Sequence, residues 1–180
     1  LSNKTKNKNV IGGIGGFGGV YNLNTNKFKK PLLVSATDGV GTKILIAKEL
    51  KTYKTIGIDL VAMSVNDIIV QGAKPLFFLD YIAVESINKK QIIDIINGIS
   101  KGCQSADCSL IGGETAELPG LYTNGKFDLA GFAVGVVEKN KLLPKTNIRP
   151  NDILLGFPSS GLHSNGYSLI RKIFLEKKIS

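Results

Sequence analysis

The stretch Thr55–Pro75, TIGIDLVAMSVNDIIVQGAKP, sets the reading of the whole chain. An apolar lead-in, Ile56 and Ile58, runs into Asp59. Leu60–Gln71 then carries Leu60, Val61, Met63, Val65, Ile68, Ile69 and Val70, apolar almost all round, which predicts a buried helix. Asp59 stands where an N-cap is expected. Asp59, Met63, Asn66 and Asp67 fall at i, i+4, i+7 and i+8, one stripe of that helix. Two carboxylates and an amide on a buried stripe need partners, because an unpaired buried charge is very costly. Two readings follow: a cap plus a satisfied polar pair, or a site for a cation or for a ligand that brings one.

Upstream, Pro31–Thr37, PLLVSAT, predicts a short strand, and Ile44–Leu50 a helix. Between them Asp38-Gly39-Val40-Gly41-Thr42-Lys43 forms a turn whose free backbone donors suit an anion. Asp38 could hold Mg²⁺ and Lys43 could meet a phosphate as a point charge; the plainer alternative is a turn aspartate that caps the helix. Ile11–Val20, IGGIGGFGGV, is glycine-dense, but no strand precedes it, so a dinucleotide fold is rejected. It is either a flexible segment or a backbone that closes over phosphates through its N–H groups.

Downstream, Leu76–Val84 predicts a buried strand interrupted by Asp80, which calls for a partner or an exposed edge. Asn88–Ser100 is amphipathic, with Ile92, Ile93, Ile96 and Ile99 on one side. Ser109–Ile111 predicts a short strand, and the Gly112-Gly113 pair after it would let the backbone approach a ligand closely. Glu114 is then presented at the strand end, with Thr115 and Glu117 behind it. Leu129–Glu138 predicts a long buried strand, Lys139–Asn151 a linker broken by Pro144 and Pro150, and Asp152–Phe157 a further strand. A polar turn, Ser159–Gly166, contains the only histidine, His163, and leads into a helix over Tyr167–Lys178. Strands alternating with helices give an α/β fold class.

Composition narrows the function. The 180 residues are 43% hydrophobic, enough for one core, and hold no apolar run of membrane-spanning length. The opening LSNKTKNKNV lacks the apolar stretch of a secretory signal, so a cytoplasmic protein is expected. Cys103 and Cys108, five apart, match no metal or redox spacing and are read as reduced thiols. The net charge of +9 comes from lysines scattered over termini and turns, which reads as solvated surface rather than a nucleic-acid face. Weak steering of phosphorylated substrates is the remaining use for it.

Asp67 also opens the string Asp67-x4-Gly72-Ala73-x-Pro75. Together with SATDGVGTK, GIDLVAMSVND, PLFFLDY, LIGGETAELPG, DLAGFAVGVVEK and SSGLHSNGYSLIRKI, in that order from Gly12 to Lys172, it resembles the ATP-dependent family built around aminoimidazole ribonucleotide synthetase, the phosphoribosylformylglycinamidine cyclo-ligases. The resemblance implies an N-terminal mixed-sheet domain over 1–140 that pairs its sheet across a homodimer, and over 141–180 the first strand and helix of a second α/β domain. It also implies a family segment upstream of Val10 and a longer continuation past Ser180, so this chain is expected to be an interior portion, inactive or aggregation-prone alone.

The implied activity is ATP-dependent closure of formylglycinamidine ribonucleotide in purine synthesis, with ATP and Mg²⁺ required and a phosphoribosyl small molecule as substrate. The implied metal ligands are Asp38, Asp67 and Glu114, with Asp59 and Asn66 in support. Gly39, Gly41, Thr42, Lys43, Thr115, Ser160 and Gly161 would contact nucleotide or phosphate. Asp38, Asp67 and His163 are the implied catalytic residues, His163 as a phosphate or substrate contact first and a proton carrier second. Alternatives are a sister ATP enzyme (thiamine monophosphate kinase, selenophosphate synthetase, a hydrogenase-maturation protein or formylglycinamidine ribonucleotide synthetase) and, remotely, a basic nucleic-acid-binding module. No membrane or nucleic-acid partner is expected.

Overall fold

The computed structural model describes residues 2–13, 15–143 and 145–177. Ile14, Pro144 and Lys178, used above in reading the glycine segment, the linker and the last helix, lie outside them. Two short strands, β1 (Val10–Ile11) and β2 (Val20–Tyr21), pair antiparallel and close the glycine-rich segment into a loop. Then come β3 (Pro31–Gly39), α1 (Lys43–Glu49), α2 (Ile56–Ile69), β4 (Lys74–Val84), α3 (Lys89–Ser105), β5 (Ser109–Glu117), β6 (Phe127–Glu138) and α4 (Tyr167–Lys177). The main sheet has the order β3-β6-β4-β5; β6 runs antiparallel to β3 and β4, while β4 and β5 are parallel through the α3 crossover.

Helices α2 and α3 cover one face of this sheet. Leu60 and Ile68 from α2, Ile95 and Ile99 from α3, and Phe78, Ile82 and Leu129 from the strands are fully buried between the layers. The two helices pack backbone to backbone, because a Cβ on Gly57 would collide with the Ile95 carbonyl and one on Gly98 with the Lys54 carbonyl. The glycines of β6 serve the same layer: Gly131 makes room for the Phe78 ring and Gly135 for Ile68. On the other face the β1–β2 hairpin covers one end, with the Tyr21 and Phe77 rings 5.3 Å apart. Further along that face Leu33, Tyr81 and Phe132 are exposed.

Several sequence expectations shift. The central helix begins at Ile56, not Leu60, since Ile56 and Gly57 are needed inside it to meet α3. Thr55 holds the N-cap without a side-chain bond, and Asp59 sits in the first turn. The polar stripe is not buried: Met63 is inside, Asp59 is half-buried, and Asn66 and Asp67 face solvent. The demand for buried partners therefore lapses. In α3 the inward stripe is Ile92, Ile95, Ile96, Ile99 and Cys103, while Ile93 is exposed. Asn88 caps this helix by accepting from the Gln91 N–H at 3.1 Å.

Strand β5 does not stop at Ile111. It continues to Glu117 because β4 pairs with it as far as Val84, so Gly112–Glu117 is strand rather than turn. Asp38 and Gly39 likewise belong to β3, held by Gly131 and Ala130. Asp152–Phe157 forms no strand. It pairs with no strand among the described residues, and Ile153, Leu154, Leu155 and Phe157 are almost wholly exposed. The last helix forms as read, with Leu169, Ile173 and Phe174 outward. Cys103 and Cys108 are free buried thiols.

Candidate functional site

Strand register aligns Asp38, Gly131, Asp80 and Gly113 in one row across β3, β6, β4 and β5. Asp38 sits at the far end of β3, where one carboxylate oxygen accepts the next residue's N–H at 2.8 Å. Beyond it the chain turns through Gly41, at φ +67°, into α1. Thr42 occupies the N-cap of α1 with its hydroxyl making no capping bond. Asp38 and Gly39 thus close β3, and Gly41 and Thr42 lead into α1.

Lys43 is not the free point charge expected of it. Its ammonium is buried, 2.9 Å from the Asp59 carboxylate and 4.6 Å from the centre of the Tyr167 ring. Pairing with a half-buried carboxylate and an aromatic face offsets the desolvation that burying a lysine costs. Asp59 is accordingly a partner of Lys43. Because Tyr167 opens α4, this contact also seats the Ser159–Gly166 turn beside the start of α1.

In that turn His163 is exposed and locally engaged. Its Nδ1 lies 2.7 Å from Ser159 Oγ and 2.9 Å from the Gly161 carbonyl, and its Nε2 3.5 Å from Ser160 Oγ. The Tyr167 hydroxyl donates to the Leu162 carbonyl and fixes the turn to α4.

Asn66 and Asp67 project from the outer side of α2 into solvent. Glu114 is exposed on β5, registered with Tyr81, and Thr115 beside it is half-buried. Gly39 and Glu114 occupy opposite ends of a four-strand row, three strand spacings or about 14 Å apart. Asp38 and Glu114 therefore stand at opposite edges. Among the described residues no three His, Cys, Asp or Glu side chains are grouped to hold a metal ion. Mg²⁺ held by Asp38, Asp67 and Glu114 together does not fit a single chain.

Around Glu114 the structure gathers something else. The glycine-rich loop folds over Gly112, Gly113 and Glu114 to enclose a cavity of about 440 Å³, with Asp80 in its wall. A Cβ on Gly113 would strike the Asp80 carboxylate, so that glycine makes room for a side chain of its own sheet. Burial pushes the Asp80 carboxyl up to about 6, a bond from its own backbone N–H opposing the rise. Asp80 was legible as an oddity in an apolar strand, yet only the register reveals that Gly113 accommodates it. Glu117 is structural, accepting from the Ile87 N–H at 2.7 Å.

A mixed four-stranded sheet backed by two helices is a fold shared with solved structures. Hydrogenase maturation protein HypE, solved in complex with ATP, matches with a TM-score of 0.60 and 17% identity, over 82% of this chain and 41% of that one. Thiamine-monophosphate kinase from Stenotrophomonas maltophilia K279a matches at 0.58 and 20% identity, over 78% and 41%. At such identities the likeness is one of fold.

The sequence is more specific. Residues 19–137 match the family described as AIR synthase related protein, N-terminal domain, and the chain belongs to that family. It is 57% identical over 172 residues to a phosphoribosylformylglycinamidine cyclo-ligase of Desulfatibacillum aliphaticivorans, covering 96% of this chain and 50% of that protein. Against the Syntrophus aciditrophicus (strain SB) cyclo-ligase the identity is 56% over 177 residues, 98% and 51% of the two chains. The chain spans about half the length of the curated relatives it matches.

Proposed function

We propose that this chain is the N-terminal part of an ATP-dependent cyclo-ligase that converts formylglycinamidine ribonucleotide to aminoimidazole ribonucleotide in purine synthesis. The observation that carries this is the 57% identity to a cyclo-ligase across 96% of the chain. The hydrogenase maturation protein and the thiamine-monophosphate kinase share the fold at 20% identity or less, which supports those readings far more weakly. The scattered lysines give a nucleic-acid-binding module no surface to rest on.

The chemistry explains the residue types. A formamide oxygen is a poor leaving group, so it first attacks the γ-phosphorus of ATP and ADP departs. An amidine nitrogen of the same molecule then attacks the activated carbon; phosphate leaves with the former amide oxygen, and a proton is lost from nitrogen. Both reacting groups belong to one molecule, so positioning supplies much of the acceleration. The chain's part is to bind and to screen charge: backbone N–H groups of the glycine loop and of the Gly41–Thr42 turn would contact the phosphates. Ser160, Gly161 and His163 would close the site from the turn that Tyr167 tethers.

Magnesium is not routed through these steps, because one chain does not assemble its ligands. Asp38, Asp67 and Glu114 serve as such only if a second copy brings the two sheet edges together. A homodimer through the face bearing Leu33, Tyr81 and Phe132 would bring sheet edges of two copies together and cover apolar side chains left exposed, but Asp67, on the outer side of α2, would stay outside that interface. A division at residue 140, with 141–180 opening a second domain, and a cytoplasmic setting complete the reading.

The test is to incubate the whole protein with ATP and formylglycinamidine ribonucleotide and follow ADP and imidazole product together. Both should appear in equal amounts. ADP release with thiamine monophosphate instead, and none with the ribonucleotide, would move the protein to the sister kinases.

A further inference from the structure

Helix α3 ends in a turn that joins the two cysteines. The Cys108 N–H donates to the Cys103 carbonyl at 3.0 Å, and the Asp107 N–H to the Gln104 carbonyl at 3.2 Å. Asp107 takes φ +50°, so the chain folds back on itself there. This paired closure satisfies the last carbonyls of a helix and lays the residue after the turn against the helix's final stretch. The residues so joined are both cysteines, and a spacing that fits no linear redox motif becomes a contact.

Both thiols are free, buried and hydrogen-bonded to each other. Closing them to the roughly 2 Å of a disulfide therefore takes side-chain rotation and no change of fold. The Cys103 thiol donates and the Cys108 sulfur accepts. That bond holds Cys108 below the usual thiol range, against its own burial and the charge of Asp107. The same bond, with burial and the charge of Asp80, pushes Cys103 up. Cys108 is thus the member of the pair disposed to act as nucleophile.

The start of the chain is fastened across this turn. The Ser109 hydroxyl donates to the Thr5 carbonyl and the Leu110 N–H to the Thr5 hydroxyl, each at 2.9 Å. The Gln104 amide donates to the Lys4 carbonyl at 3.3 Å. Lys4 and Thr5 therefore strap the immediate neighbours of both cysteines, one on the helix and one on β5.

We propose that Cys103 and Cys108 form a reversible oxidation site that hydrogen peroxide closes to a disulfide, reached when the Lys4–Thr5 strap opens. The Cys108 thiolate attacks one peroxide oxygen; the O–O bond breaks, hydroxide leaves and takes up the thiol proton, and a sulfenic acid remains. The Cys103 sulfur then attacks the Cys108 sulfur; the S–O bond breaks and hydroxide leaves as water with the Cys103 proton. Two thiols are oxidised and one peroxide is reduced to two waters. None of this depends on the cyclo-ligase reading.

The experiment treats the whole folded protein with hydrogen peroxide, blocks remaining thiols, and digests it with trypsin. One peptide, Gly102–Lys126, carries both cysteines. It should appear unblocked and lighter by two hydrogens, and dithiothreitol should restore both thiols. A peptide that keeps both thiols, at a dose that fully oxidises free glutathione in a parallel sample, overturns the site; so does cross-linking between chains. Cys103→Ser should leave a sulfenic acid on Cys108 that dimedone traps, and Cys108→Ser should leave Cys103 unreacted. A dimedone adduct on Cys103 instead would overturn the order of attack. Thr5→Val removes the acceptor of the Leu110 N–H and should speed disulfide formation about fivefold or more. An unchanged rate would overturn the strap as the route of access.

Discussion

Residues 31–138 and residues 148–177 carry similar apolar side chains and dispose them oppositely. Phe78 and Leu60 have 0% of their surface exposed, whereas Phe157 has 89% and Leu154 95%. The difference is not hydrophobicity. In the first region four strands find neighbours and two helices lie across them; in the second, among the described residues, no strand or helix is placed to cover the apolar positions. Burial, then, belongs to the arrangement of elements and not to any single segment.

Matched substitutions test that contrast. Phe78→Ala should cost about 3–5 kcal/mol, read from urea unfolding, because Gly131 and α2 leave the cavity little means to collapse. A loss under about 1 kcal/mol would mean that the sheet–helix layer is far looser than its burial implies.

Asp80 sharpens the picture inside the same layer. Its folded-state carboxyl titrates at about 6, above the ordinary aspartate value near 4. Between those values the folded chain keeps a proton that the unfolded chain has lost, so stability falls as pH rises through that window and then levels off. Asp80→Asn should flatten the fall and gain about 2–3 kcal/mol at neutral pH relative to pH 4. Parallel stability-against-pH curves for the two proteins would refute it.

Lys43 joins the two regions. Lys43→Met leaves Asp59 half-buried and unpaired, a cost of about 2 kcal/mol after allowance for its solvent contact. It should also speed amide exchange in α4, where Tyr167 loses its cation. Exchange there unchanged would show that the contact does not hold the two regions together.

The smallest effect belongs to the uncovered segment. Phe157→Ala should shift the stability of this chain by less than about 0.5 kcal/mol, since little contact is lost. A larger cost would reveal a packing partner for Ile153–Phe157.

Much of this was readable beforehand, and the misreadings share a cause. Helix α3 was legible from its isoleucines, yet its inward stripe was placed one residue off at Ile93, since four neighbouring isoleucines fit more than one phase. Strand β5 was cut at Ile111 because Gly-Gly reads locally as a turn; the length of β4 alongside overrides that. Lys43 and Asp59 were each noticed, one for phosphate and one for a cap, and their pairing was invisible across 16 positions. The strings from SATDGVGTK to SSGLHSNGYSLIRKI carried the family, and residues 19–137 match it.

By itself the sequence determined the family, the helices and most strand positions, because those depend on neighbours two to four residues apart and on strings of fixed spacing. Tertiary structure alone decided that Asn66 and Asp67 face solvent, that Lys43 is already paired, that Gly113 houses Asp80, and that Asp38 and Glu114 stand at opposite edges. Those outcomes follow from strand order and helix docking, which bring together groups that no local pattern connects.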